Sequence, residues 1–205
     1  MFVALDCIPI VILLLIPLGL TIYYKLVFIS LVLTFFIGFV LFFFRDPKRD
    51  IKRDENTIYA PADGTILEVE NISFLGEDYL QVVIFMSVFN VHINRSPFAG
   101  KIISKKYVPG KFLFANEKDV TKENERMEIL MDTKEGRMKF IQVAGFIARK
   151  IVCRLTEGQE VIAGEKFGLI KFGSRMDVLF PARAKCLVKI GDKTKGGITK
   201  IAEFT

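Results

Sequence analysis

Residues 1–44 contain only two charged side chains, Asp6 and Lys25, and this near-absence of charge limits what that part of the chain can fold into. Residues 7–24 (CIPIVILLLIPLGLTIYY) and 26–44 (LVFISLVLTFFIGFVLFFF) are apolar throughout. At about 1.5 Å of helical rise per residue, each just reaches the roughly 30 Å of a bilayer's hydrocarbon core. The stretch lacks the basic start, short apolar centre and small-residue cleavage site of a removable signal, so it reads as a retained anchor. Joined at Tyr23-Tyr24-Lys25, the two arms form a helical membrane hairpin over residues 1–44, with Pro9 and Pro17 as kink sites in the first arm. A re-entrant hairpin stays open beside a spanning one. The flank RDPKRDIKRD supplies Arg45, Lys48, Arg49, Lys52 and Arg53. Basic residues beside a span stay on the cytoplasmic side, which places residues 45–205 on the cytoplasmic face of the cell membrane. The same collar can rest on anionic headgroups.

Those 161 remaining residues carry 28 of the 29 basic and 22 of the 23 acidic side chains, enough chain for one packed domain. The net charge of +6 is accounted for by the topology signal and a solvated surface, and no nucleic-acid-reading motif accompanies it. Cys7, Cys153 and Cys186 are scattered, without the spacing of a zinc site or a disulfide framework. From Thr57 onward short apolar runs such as GTILEVE, YLQVVIFMS, MEILMDT and RMKFIQVAGFIARKIVC alternate with Gly-containing turns. The expected fold is mainly β, a sandwich or barrel, with helix confined to the anchor. The spacing of turns in EGQEVIAGEKFGLIKFGSRMDVLFPARAKCLVKIGD resembles a barrel-sandwich hybrid in the C-terminal part. Residues 114–125, FANEKDVTKENE, read as an exposed loop.

Three places hold reactive side chains. In Ala60-Pro61-Ala62-Asp63-Gly64, Asp63 reads either as a turn-former or as a functional carboxylate. His92, the one histidine, closes an apolar strand and enters a polar turn. It is either a hydrogen-bonded structural residue or the natural acid–base group near neutral pH. Phe172-Gly173-Ser174-Arg175 joins two apolar strands. Glycine before serine frees the backbone and leaves the Gly173 carbonyl open to the Ser174 hydroxyl, the arrangement an N→O acyl shift needs. A serine hydroxyl needs a base, His92, itself oriented by a carboxylate, Asp63.

PADG, VHINRSP, KENERM and FGSRMDVLFP behind FFFRDPKR together resemble the short form of phosphatidylserine decarboxylase, whose relatives include archaetidylserine decarboxylases. The resemblance runs from about Phe42 to the C-terminus. It implies a proenzyme that cuts itself between Gly173 and Ser174, leaving a large chain, 1–173, and a small chain, 174–205. Asp63, His92 and Ser174 would form the self-cleaving triad, and Ser174 would become a pyruvoyl cofactor. That group's ketone would take the amine of a serine phospholipid and accept electrons as CO2 leaves, releasing the ethanolamine lipid. His92 would donate the closing proton. No metal is implied, the partners are the membrane and the lipid, and the oligomeric state is open. Arg95, Lys171 and Arg175 are the cations near these motifs, each readable as an anion ligand or as a structural charge.

Two other functions compete. A membrane-tethered lipoyl- or biotinyl-like carrier fits the turn spacing, but it needs a modifiable lysine where this chain has Gly173-Ser174. A serine protease would use the same triad and would remain one uncut chain. A binding module leaves the joint motifs unexplained.

Overall fold

A computed structural model describes residues 3–111, 113, 120–145, 150–171 and 174–205, and the chain divides into two compact units, Met1–Lys48 and Arg49–Thr205. The first unit is a pair of helices, α1 (Ile8–Tyr23) and α2 (Val27–Phe43), entered through a 3-10 turn at Leu5–Cys7. Pro9 lies in the first turn of α1, where its missing N–H leaves no bond unmade. Lys25 reverses the chain at a φ of +57°. Beside that turn Ser30 Oγ donates to Thr21 Oγ1 at 3.0 Å, and at the other end the Ala4 N–H donates to the Phe44 carbonyl at 2.8 Å. The helices are thus tied at both ends. Leu5–Tyr23 is long and apolar enough to cross a membrane, with mean hydropathy 2.5, and α2 is a shorter apolar helix.

The second unit runs β1 (Thr57–Tyr59), β2 (Gly64–Phe74), β3 (Glu77–Met86), β4 (Ile93–Arg95), β5 (Gly100–Val108), then a one-turn helix α3 (Val120–Glu123). It continues with β6 (Arg126–Thr133), β7 (Gly136–Ala144), β8 (Ile151–Cys153), β9 (Glu160–Val161), β10 (Lys166–Ile170) and β11 (Ser174–Pro181). The chain ends with β12 (Lys185–Cys186), β13 (Lys193–Thr194) and β14 (Lys200–Glu203). Eight strands form one curled sheet in the order β13-β2-β3-β11-β7-β6-β5-β9. Two three-stranded sheets, β1-β14-β12 and β4-β10-β8, complete the unit. All three share one core, in which Ile84 of β3, Phe140 of β7, Phe167 of β10 and Ile201 of β14 are fully enclosed. Phe140 meets Phe167 edge to face, with centroids 5.2 Å apart, joining the large sheet to β10.

The strand that follows the Gly-Ser junction is central. β11 lies between β3 and β7, paired from Ser174↔Met86 to Pro181↔Tyr79 on one side and from Ser174↔Ala144 to Leu179↔Lys139 on the other. Every β11 residue is buried, because both faces of the strand are covered. Ser174, Met176, Val178 and Phe180 alternate onto the core face, while Arg175, Asp177 and Leu179 take the opposite one.

The expected mainly β fold behind N-terminal helices is what the chain adopts. Helix is not confined to the anchor, however: α3 forms one turn at 120–123, where Thr121 Oγ1 donates to Asp177 Oδ2 at 2.5 Å. A tertiary bond of this kind stabilises a turn too short to persist alone. The neighbouring Asn124, expected in an exposed loop, is fully buried. Its side chain bonds the Leu113 N–H and carbonyl at 2.9 Å each and the Ala144 carbonyl at 2.7 Å. Residues 114–119 of that loop lie outside the described residues.

Candidate active site

The Ala60–Gly64 segment carries the chain from β1 to β2, and its first three carbonyls are engaged from outside it. Pro61 accepts from the Arg95 N–H at 2.8 Å, Ala60 from the Gly197 N–H at 2.8 Å and Ala62 from Thr194 Oγ1 at 3.0 Å. The first of these bonds sets the PADG segment against the HINRSP segment. Asp63 presents its carboxylate to Arg49, with Nη2 2.7 Å from Oδ2 and Nη1 2.6 Å from Oδ1, and accepts the Gly196 N–H at 2.8 Å. Both side chains are largely buried, at 10% and 14% exposure for Arg49 and Asp63, so the pair is shielded from the solvent screening that weakens surface ion pairs.

His92 is buried and directly precedes β4. Ile93 pairs with Leu169 and Asn94 with Gly168, so the histidine sits at the end of the ladder towards which β10 runs. From that end the chain leaves Ile170 and re-enters the large sheet at Ser174. Asn94 is fully buried; it accepts a bond from Gln142 Nε2 at 2.8 Å, and its Nδ2 lies 3.7 Å from Met86 Sδ.

Ser174 opens β11 between Met86 and Ala144, and its Oγ is buried with no hydrogen-bond partner among the described residues. Leaving such a hydroxyl unbonded costs about 1–3 kcal/mol, a penalty found where a group is reserved for chemistry. Gly173, the residue on the other side of the expected cut, lies outside the described residues. Asp63 and Ser174 enter the sheet on strands separated by β3, about 10 Å apart at two interstrand spacings. The three sequence motifs thus converge at one end of the large sheet, around the start of β11.

Residues 36–202 match the family described as phosphatidylserine decarboxylase. The chain belongs to the phosphatidylserine decarboxylase family, a family of carboxy-lyases. Among its relatives, a phosphatidylserine decarboxylase proenzyme of Chlorobium phaeobacteroides is 50% identical over 170 residues, covering 82% of this chain and 80% of the relative. That of Chlorobaculum parvum is 46% identical, covering 83% and 81%. That of Magnetococcus marinus is 45% identical over 180 residues, covering 86% and 83%.

For a decarboxylase of this family, sequence reasoning missed several residues around Ser174. Arg49, read as part of the basic collar, is directed onto Asp63. Arg95 and Arg175, considered as anion ligands, are turned inward: Arg95 Nη1 donates to the Gly164 carbonyl at 2.9 Å and Arg175 pairs with Asp177. Gln142 and Asn94 were overlooked, although a polar residue on the buried period of a strand, as Gln142 is in MKFIQVA, was a visible signal.

Proposed function

We propose that this chain is a membrane-anchored decarboxylase of a serine phospholipid, phosphatidylserine or archaetidylserine, working through a pyruvoyl group made from its own Ser174. The observation that carries the reading is the buried, unbonded Ser174 hydroxyl at the entrance to β11, in a chain of this family. Met86 and Ala144 flank the position with apolar side chains. A pyruvoyl group is small, uncharged and polar only at its two carbonyls, and those surroundings fit it.

In this reading His92 takes the Ser174 hydroxyl proton as Oγ attacks the Gly173 carbonyl carbon, and the Gly173–Ser174 amide becomes an ester. Asp63, held by Arg49 and Gly196, orients the histidine. β-Elimination leaves a carboxylate on Gly173 and a dehydroalanine at 174. Tautomerisation and addition of one water then release ammonia and leave the pyruvoyl carbonyl. The domains become a hairpin, residues 1–44, and a catalytic part, 45–205, divided into chains 1–173 and 174–205. Once formed, the group supplies an electrophilic ketone and an electron sink for loss of CO2. His92 then returns a proton to the product carbon. The apolar hairpin and the basic flank at 45–53 support a reading in which the enzyme is anchored in the cell membrane with its site on the cytoplasmic face.

The test is the intact mass of the purified wild type beside Ser174→Ala. The reading requires two wild-type species, 1–173 and 174–205, the smaller lighter by one ammonia than a serine-started peptide, and a single species for Ser174→Ala. The wild type must also release CO2 from a serine lipid. One full-length mass from folded wild type would overturn it.

A further inference from the structure

Gln142 is fully buried in β7, yet its side chain crosses between two sheets. Nε2 donates to Asn94 Oδ1 of β4 at 2.8 Å and lies 3.3 Å from the Val152 carbonyl of β8. Two acceptors around one nitrogen fix the orientation of the amide, because a flipped group would set oxygen against oxygen. The backbone leaves room for the crossing at Gly168 of β10. A Cβ there would stand 2.0 Å from the Val152 carbonyl oxygen and 3.2 Å from Gln142 Nε2.

With its nitrogen committed to the scaffold, the amide aims its oxygen elsewhere. Oε1 is buried and has no hydrogen-bond partner among the described residues, like Ser174 Oγ. Gln142 pairs with Met176 and Ser174 with Ala144, on adjacent strands. The two side chains therefore share the core face as diagonal neighbours, about 7–8 Å apart at their bases. An amide oxygen only accepts, so the group completing it must bring a donor. A structural bridge between sheets would use the nitrogen alone and gain nothing from a buried, unbonded oxygen, which costs about 1–3 kcal/mol.

We infer that Gln142 Oε1 is the acceptor that holds the amino nitrogen of the serine headgroup beside residue 174. This rests on the decarboxylase reading above. The amine is the headgroup's donor-bearing nitrogen and the atom that must approach the residue-174 carbonyl. An acceptor fixed from behind by Asn94 and Val152 orients the nitrogen without moving during reaction, which is where preorganised polar groups act most strongly.

The experiment compares wild type, Gln142→Leu and Gln142→Asn in three measurements. Intact mass reports self-cleavage. Hydroxylamine, which needs no binding site, titrates the carbonyl formed at residue 174. Phosphatidylserine in detergent micelles with cyanoborohydride couples the lipid amine to that carbonyl reductively, and the mass gain on 174–205 is followed against lipid concentration. The expected result is cleavage and hydroxylamine uptake as in wild type, with half-saturation of the lipid adduct shifted upward by about tenfold or more. Half-saturation unchanged from wild type in a cleaved Gln142→Leu would overturn the inference. Should Gln142→Leu not fold, Gln142→Asn decides: it keeps an amide but draws the oxygen back by one methylene, so an unchanged half-saturation there would overturn it equally. A wild type that stays uncut and takes up no hydroxylamine would sink the decarboxylase reading itself, a result distinct from these.

Discussion

Arg175 and Asp177, two residues apart on β11, clasp each other on the face of the strand opposite Ser174, with Nε 2.9 Å from Oδ1 and Nη2 3.2 Å from Oδ2. Asp177 is fully buried and also receives Gln81 Nε2 at 3.2 Å and the Thr121 hydroxyl. The carboxylate therefore joins β3, β11 and α3 at a single point. Removing it takes from the Arg175 guanidinium, which is 2% exposed, its closest carboxylate and leaves Glu68 at 3.8 Å. Asp177→Ala is expected to lower stability by about 3–5 kcal/mol, the cost of removing one partner of a buried ion pair. Urea unfolding of Ser174→Ala with and without the second substitution measures this without interference from cleavage.

Arg49 and Asp63 lead to a second expectation. Arg49→Gln removes the charged partner but leaves the Gly196 N–H on the carboxylate. A hydrogen bond to a charged group contributes about 1.5–3 kcal/mol, so stability should fall by about that amount. If Asp63 orients the base, the rate of self-cleavage should fall as well, read as the fraction of full-length mass against time after refolding. Cleavage at the wild-type rate would show that Arg49 is not needed to position Asp63 for the relay.

Gly168→Ala should be costly for steric reasons. The added methyl meets the Val152 carbonyl oxygen, and moving β8 away would disturb the Gln142 bridge. Overpacking of this kind costs about 1–3 kcal/mol. Thermal melting of the variant in the Ser174→Ala background checks it, and a melt equal to the parent's would show that β8 yields freely.

The outer face of the large sheet predicts an acid-sensitive contribution. Burial pushes the Glu128 carboxyl up, but hydrogen bonds from Lys139 at 2.8 Å and Arg126 at 2.6 Å outweigh it and hold the group below its ordinary range. A carboxylate depressed by folding contributes stability that is present above its unfolded value. That contribution is lost as pH falls through the lower, folded value. Glu128→Gln should therefore lower the urea midpoint at pH 7, and the gap to wild type should close in acid. A gap to wild type of the same size at every pH, with no narrowing in acid, would refute the assignment.

Local pattern disclosed the helical hairpin and most strands. Apolar runs of 18 residues and alternation of period two are properties of neighbours in sequence. Ser174 was legible for the same reason, as a Gly-Ser junction between two apolar strands. The partners around it were not. Gln142 meets Asn94 across 48 residues, and Arg49 meets Asp63 across a turn, a strand and a proline, so their roles depend on sheet order rather than on periodicity. The KENE segment misled because Asn124 is polar yet fully enclosed, its amide satisfied entirely by backbone groups.

The placement of β11 has a consequence for the order of events in the life of the chain. Its residues are hydrogen-bonded on both sides, and the segment that follows supplies β12 and β14 to one small sheet and β13 to the edge of the large one. A strand in the middle of a sheet cannot be added from solution without parting its neighbours, so the peptide link before Ser174 delivers it at high local concentration while the sheet assembles. Once the sheet has closed, that link holds nothing the ladders do not hold. Continuity of the chain is a requirement of assembly, and afterwards the two pieces would melt as one body, at a midpoint that rises with protein concentration because one folded body releases two chains.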